Sequence, residues 1–238
     1  MTFLFPLIRM ALPVALLLAP AMSHGAITLG GTRLIFTAPS KESSILVKNQ
    51  GAQDIMIQSW IDPDDVSETA QDREMPFAIT PALSRLGSNR QQLLRVFYYG
   101  KGANQQQESV YWLSVQEIPP KSADENTLQI ALRQKIKVFY RPVGLPGSAA
   151  EAPKQLQWKI NAKGLEVTNP SAFHVSLSSL KLAVGSSTYR VKERMIKPGS
   201  SVTLPISGWQ GTLSSTGTVE FECVNDYGGL DKFTAVTR

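Results

Sequence analysis

The chain is poor in the residues that most enzyme chemistry draws on. Among 238 residues there is one cysteine and there are two histidines. A single cysteine excludes an intramolecular disulfide, a CxxC redox pair and a cysteine-rich zinc site. Two histidines leave little material for metal or acid–base work, and no G-x-S-x-G or phosphate-cradling glycine loop is present. Charge of one sign is also scarce. A net +5 over the whole chain is modest, and no basic patch interleaved with aromatics accompanies it, which argues against nucleic acid. Glycine and proline, 17 and 15 residues, sit near average usage and exclude collagen-like or low-complexity chains. Long apolar runs are missing as well. The most apolar stretch, Met10–Met22, has 13 residues interrupted by Pro13 and Pro20, short of the roughly 20 needed to span a bilayer.

That stretch reads instead as an export signal over residues 1–25. Arg9 borders the apolar run, no acidic residue is present, and the small residues Ser23 and Gly25 stand two apart. Cleavage after Gly25 and cleavage after Ser23 are the two choices. No later segment resembles a membrane helix, so stable membrane insertion is not expected.

With 42% hydrophobic residues a real core is affordable. Its pattern is that of strands. Short runs rich in Val, Ile, Leu, Phe and Tyr fall at Thr32–Phe36, Ser44–Asn49, Asp54–Ile61, Phe77–Thr80, Gln91–Tyr99, Val110–Glu117 and Leu128–Tyr140. Gly51, Pro63-Asp64, Gly87-Ser88, Gly100–Gly102 and Pro119-Pro120 separate them. This is the rhythm of an immunoglobulin-like sandwich. Val143–Pro153 (VGLPGSAAEAP) has almost no aliphatic content and reads as an interdomain connection, or else as a long hairpin loop. Further strands are expected at Leu156–Ile160, Leu165–Thr168, His174–Val184, Tyr189–Glu193, Ser201–Ile206, Thr218–Val224 and Lys232–Val236. The expected architecture is all-β, with a first domain over 26–142, a linker over 143–153 and a second domain over 154–238.

Isolated reactive groups have bland readings. His174 opens a strand and reads as structural. Cys223 shares the apolar parity of Val219 and Phe221 and reads as a buried, inert thiol. Asp62, Asp64 and Asp65 resemble half a calcium loop, but Pro63 and the missing glycine and terminal glutamate spoil the match, leaving a solvated turn. No catalytic constellation, metal site or cofactor site is expected.

The informative segment is Leu128–Arg141, LQIALRQKIKVFYR. Leu128, Ile130, Leu132, Ile136 and Val138 share one parity; Arg133, Lys135, Lys137 and Arg141 share the other. Two readings stand. In one, this is a core strand with a solvated basic face. In the other, it is an edge strand whose apolar side chains are offered to a partner's open sheet.

Several motifs, taken together, resemble the periplasmic pilus-assembly chaperones of the chaperone–usher pathway, the PapD-like family. They are Thr32-Arg33, VKNQGAQDIMIQSWID at 47–62, PFAITPALSRL at 76–86, ESVYWLSVQEIPP at 108–120, LQIALRQKIKVFYRP at 128–142, VTNPSAFHVSLSSL at 167–180 and VNDYGG at 224–229. Two departures stand out: KGANQQQ at Lys101–Gln107 replaces a Leu-Pro-x-Asp-Arg type run, and Ser84 stands where an aromatic residue is common.

The resemblance implies two immunoglobulin-like sandwiches in a boomerang arrangement, a periplasmic location and binding of pilin subunits that lack their last strand. It implies that the strand with Leu128, Ile130 and Leu132 is lent to the pilin, and that Arg33 and Lys137 anchor the pilin's terminal carboxylate. Glu108, Arg141 and Asp226 match a charged cluster at the domain junction with a structural role. The short stretch Lys121–Thr127 resembles the subclass serving rod-like pili. Delivery to an outer-membrane usher is implied, and weak self-association through the same edge is physically plausible. An exported β-sandwich adhesin or scaffold component using the edge strand for permanent assembly is the alternative; a β-sandwich hydrolase lacks its acid/base pair.

Overall fold

A computed structural model describes residues 27–64, 75–122, 126, 128–209 and 216–238. The expected export signal and Asp65 lie outside the described residues, as does most of Lys121–Thr127. No helix among the described residues is long and apolar enough to cross a membrane.

The first half forms two facing sheets. One has the order β1-β3-β7-β5, from β1 (Ile27–Leu29), β3 (Glu42–Asn49), β5 (Phe77–Thr80) and β7 (Gln91–Tyr98). The other runs β2-β9-β8-β4-β6, from β2 (Arg33–Thr37), β4 (Ile55–Pro63), β6 (Leu83–Leu86), β8 (Ser109–Ile118) and β9 (Arg133–Arg141). Alternation along each strand sends one parity inward. Phe36, Val47, Leu94, Val96, Leu113, Val115 and Val138 are fully buried between the sheets. At one end of this core Phe36, Phe77, Tyr98, Tyr111 and Tyr140 pack with ring centroids 4.4–6.2 Å apart.

The second half repeats the principle on a smaller scale. Strands β10 (Gln157–Asn161), β11 (Gly164–Asn169) and β15 (Ser200–Leu204) form one sheet. The other is β13-β12-β16-β17, from β12 (Val175–Val184), β13 (Ser187–Arg190), β16 (Thr218–Val224) and β17 (Leu230–Val236), with β14 (Met195–Ile196) pairing to β12. Trp158, Leu165, Val167, Leu182, Ile196 and Val219 fill its core. Residues 143–153 follow this domain closely. Leu145 and Ala149 pack on its core, and Ala152, in a 3-10 turn at Ala152–Gln155, is wholly buried in it. Each sandwich also buries one asparagine whose amide is satisfied by backbone. Asn49 donates to the carbonyls of Gln53, Leu86 and Gly87, and Asn169 to those of Phe173, Ile196 and Lys197.

Two sequence expectations need correction. The strand expected over Leu128–Tyr140 joins a ladder only at Arg133; Leu128–Leu132 lies outside any strand, with a backbone hydrogen bond from β8 reaching it at Leu132. Strands β1, β6 and β14 are additions to the expected set. They have three, four and two residues, too few for a period-2 pattern to stand out.

Candidate functional site: an open strand edge ending at two cations

The site follows from how β9 is flanked. On one side β8 pairs with it antiparallel from Gln116↔Arg133 to Ser109↔Tyr140. On the other side β2 pairs with it in parallel, but only from Arg33↔Lys137 to Thr37↔Arg141. The preceding strand, β1, crosses to the opposite sheet and pairs with β3. From Leu128 to Ile136, therefore, the β2-side edge has no strand partner among the described residues. Leu128, Ile130 and Leu132 stand exposed there at 86, 64 and 44%, whereas Ile136 and Val138, of the same parity, are buried. The basic-faced core strand describes the second half of this segment, whereas the first half is exposed and lies outside any strand. The Leu132 carbonyl accepts from the Glu117 N–H at 3.0 Å, which aligns the segment with the end of β8.

The first residue pair of the β2–β9 ladder, where the open edge ends, is Arg33 and Lys137. Two cations thus sit side by side at the place where an added strand would have to stop. Both are half-buried, and among the described residues no carboxylate forms a salt bridge with either. Arg33 donates from Nη1 to the Val224 carbonyl at 2.9 Å and lies over the Phe139 ring, while its Nε is buried without a partner. Lys137 Nζ lies 5.4 Å from the Trp112 ring centroid. Burial lowers the pKa of both groups from their ordinary values. Arg33 further lowers that of Lys137, and Asp64 partly restores it. Such a pair is stabilised by an incoming anion.

Behind Arg33 lies a cleft of about 240 Å³ between the two sandwiches, lined in part by Glu108, Arg141, His174 and Asp226. Glu108 is almost wholly buried. It accepts from Arg141 Nε at 2.6 Å through one oxygen, and from the His174 N–H at 2.7 Å through the other, which also lies 2.9 Å from His174 Nδ1. Arg141 closes the cluster with a bidentate contact to Asp226, at 2.5 and 2.7 Å. Burial opposes the charge on Arg141, but Asp226 and Glu108 outweigh it and raise its pKa. Of the three cluster residues identified from sequence, Arg141 contacts both of the others and joins them across the junction. His174, which by sequence alone reads as an isolated structural residue, is a fourth member.

The β16–β17 turn brings this cluster to Arg33. Asn225 Oδ1 accepts from the N–H groups of Tyr227 and Gly229 and shapes the turn. Gly228 has φ +84°, and a Cβ there would meet Thr32 Oγ1 at 2.5 Å, so only glycine lets the turn approach the residue before Arg33.

Other sequence candidates resolve simply. Cys223 is buried, and burial pushes its pKa up to about 12, which keeps it a neutral thiol. The expected solvated turn at Asp62 and Asp64 is instead occupied on the protein side. Asp62 accepts from Trp60 Nε1 and Ser114 Oγ; Asp64 accepts from Trp112 Nε1 and pairs with Lys197. In the departure at Lys101–Gln107, Gln105 bonds to the Tyr98 hydroxyl, and Ser84 lies on β6 opposite Ile57.

Comparison with known proteins places this architecture. Residues 26–146 match the pili and flagellar-assembly chaperone family, PapD N-terminal domain, and residues 151–235 match the pili assembly chaperone PapD C-terminal domain. The probable fimbrial chaperone YadV of Escherichia coli K12 is 35% identical over 213 residues, covering 85% of this chain and 86% of that protein. The crystal structure of YadV superposes with a TM-score of 0.78 at 34% identity, covering 89% of this chain and all of the other. The SafB chaperone, solved in complex with the Salmonella enterica SafA pilin, gives a TM-score of 0.75 at 26% identity over 91% of this chain and 98% of that one. With two immunoglobulin-like β-sandwiches and matches spanning both, the chain belongs to the PapD-like family of pilus-assembly chaperones, a family of chaperones and not of enzymes.

Proposed function

We propose that this chain is a periplasmic chaperone that captures pilin subunits by donating a strand to them and hands them to an outer-membrane usher. Residues 1–25 are its export signal, 26–142 and 154–238 its two domains, and 143–153 the connection between them. The observation that carries the reading is that the open edge of β9 ends at two half-buried cations that have no carboxylate partner among the described residues. A pilin strand laid along Leu128–Ile136 gains main-chain hydrogen bonds on its own unpaired edge. Leu128, Ile130 and Leu132 enter its open core. Where β2 takes over the ladder the incoming chain must end, and its terminal carboxylate meets Arg33 and Lys137.

The carboxylate also sets register. A slip of one residue would turn the wrong face of the strand toward the partner, and the charged end-stop disfavours that slip. Glu108, Arg141 and Asp226 fix the junction so that Arg33 keeps its place. No nucleotide is needed, since the apolar surface left open in the pilin stores the free energy for later strand exchange.

The test is co-expression of the chain with a panel of pilin subunits, followed by periplasmic extraction and size exclusion. A one-to-one complex that is lost in Lys137→Ala and in Arg33→Ala, with both variants folded, is the expected result. A pilin retained normally by either variant overturns the carboxylate anchor.

A further inference from the structure

Each of the two anchor cations is reached from the second sandwich by a separate route. Arg33 is held by the Val224 carbonyl, beside the Asp226 cluster. The route to Lys137 begins at Lys197, in the turn between β14 and β15. Its Nζ crosses to the first sandwich and lies 3.0 Å from Asp64 Oδ2. The other Asp64 oxygen accepts from Trp112 Nε1 at 3.0 Å. Trp112 is the cross-strand partner of Lys137, and its ring carries two ammonium groups, that of Lys137 at 5.4 Å and that of Lys135 at 5.0 Å. The backbone at the start of this route is itself fixed, because the Lys197 carbonyl accepts from Ser200 Oγ at 2.8 Å and from the buried Asn169 Nδ2 at 3.2 Å.

We propose that Lys197 and Asp64 form a second tie between the sandwiches whose task is to position Trp112, and through it the Lys137 ammonium, at the end of the open edge. This rests on the reading of Lys137 as the carboxylate anchor. Lys197 and Asp64 are positioning residues, since neither reaches the edge itself. The pair is ill suited to a stabilising role. The Lys197 side chain is 57% exposed, and an ion pair with so solvated a partner adds little to stability. Its geometric consequence is larger. Lys137 is placed next to Arg33, which repels it, so its position depends on the Trp112 face and on the negative charge of Asp64. Asp64 in turn stays ionised: burial works against its charge, but the hydrogen bonds from Lys197 and Trp112 outweigh that and lower its pKa. The two-cation anchor is thus assembled by both domains, and the junction sets the distance between its halves.

The experiment uses the full mature chain as wild type, Lys197→Ala, Lys197→Arg, Asp64→Asn and Lys137→Ala. The side-chain resonances of Lys137, identified by their loss in Lys137→Ala, are followed by NMR in the free protein. Affinity is measured for a pilin subunit that co-purifies with the wild type. In Lys197→Ala and Asp64→Asn the Lys137 methylene signals, ring-shifted by Trp112, should move toward the position of a solvated lysine. Capture should weaken at least about fivefold, and Lys197→Arg should restore both. Lys137 signals unmoved in Lys197→Ala overturn the proposal, as do moved signals with unchanged affinity. Failure of the anchor reading looks different: Lys137→Ala would then bind like wild type, removing any role of the tie in capture, while the resonances of the free chain still decide whether the tie positions Lys137.

Discussion

Five residues of one parity along one segment divide into two groups, and truncating them should separate capture from folding. Full burial of a Leu or Ile side chain contributes roughly 1.5–3 kcal/mol. Scaled by exposures of 86, 64 and 44%, a pilin that covers them gains about 1.3–2.6 kcal/mol from Leu128, about 1–1.9 from Ile130 and about 0.7–1.3 from Leu132. Replacement by Ala should therefore weaken capture by roughly tenfold or more for Leu128, about fivefold to twentyfold for Ile130 and about threefold to eightfold for Leu132. None of the three should shift the urea midpoint of the free chaperone by much, because none belongs to either buried core. Ile136→Ala, at a site only 9% exposed in the first core, should instead cost about 2–5 kcal/mol of folding stability. Its effect on capture should appear only as far as the fold is lost. The assay is titration calorimetry against a pilin kept soluble by a competing donor peptide, with denaturation followed in parallel. A Leu132→Ala variant that loses more affinity than Leu128→Ala, or an Ile130→Ala variant that destabilises the free protein, would refute the reasoning from exposure.

Two further outcomes follow from the charged groups. Glu108→Ala removes three interactions at once from a buried site and leaves the His174 N–H unpaired, which should destabilise the chain by about 3–5 kcal/mol in urea unfolding; a loss below about 1 kcal/mol would mean the cluster is incidental. For Lys137, a folded pKa below the ordinary 10.5 means that the ammonium is lost earlier than in the unfolded chain as pH rises. Between the folded value and 10.5 the unfolded state binds more protons, so this group's contribution to stability grows with pH there while capture weakens. Affinity measured across the alkaline range should fall for the wild type and stay level for Lys137→Arg, whose guanidinium keeps its charge; equal profiles would remove Lys137 from the anchor.

Much of this protein is legible in its amino-acid sequence. Alternation of apolar residues is a local property, so the positions of the long strands follow from it, and β16 falls on its expected span, Thr218–Val224. The parity of Ile136 and Val138 likewise tells which side chains of β9 face the core. The motifs at 108–120 and 224–229 carry the family resemblance, and with it Arg33, Lys137 and the Glu108–Arg141–Asp226 set.

What sequence alone does not decide is which of those parity-matched residues are covered, because coverage depends on neighbours far away in the chain. Ile136 is buried and Ile130 exposed because the β8–β9 ladder begins at Arg133, which sets Ile136 opposite Leu113 within the first core and leaves Ile130 ahead of the ladder. Nothing near residue 130 encodes that. The meeting of Asp64 with Lys197, 133 positions apart, is of the same kind: each looks like an ordinary surface charge in the sequence, and only the docking of one sandwich on the other makes them a pair. Periodicity is written residue by residue, whereas an open edge and an interdomain contact are products of how whole strands are ordered in space.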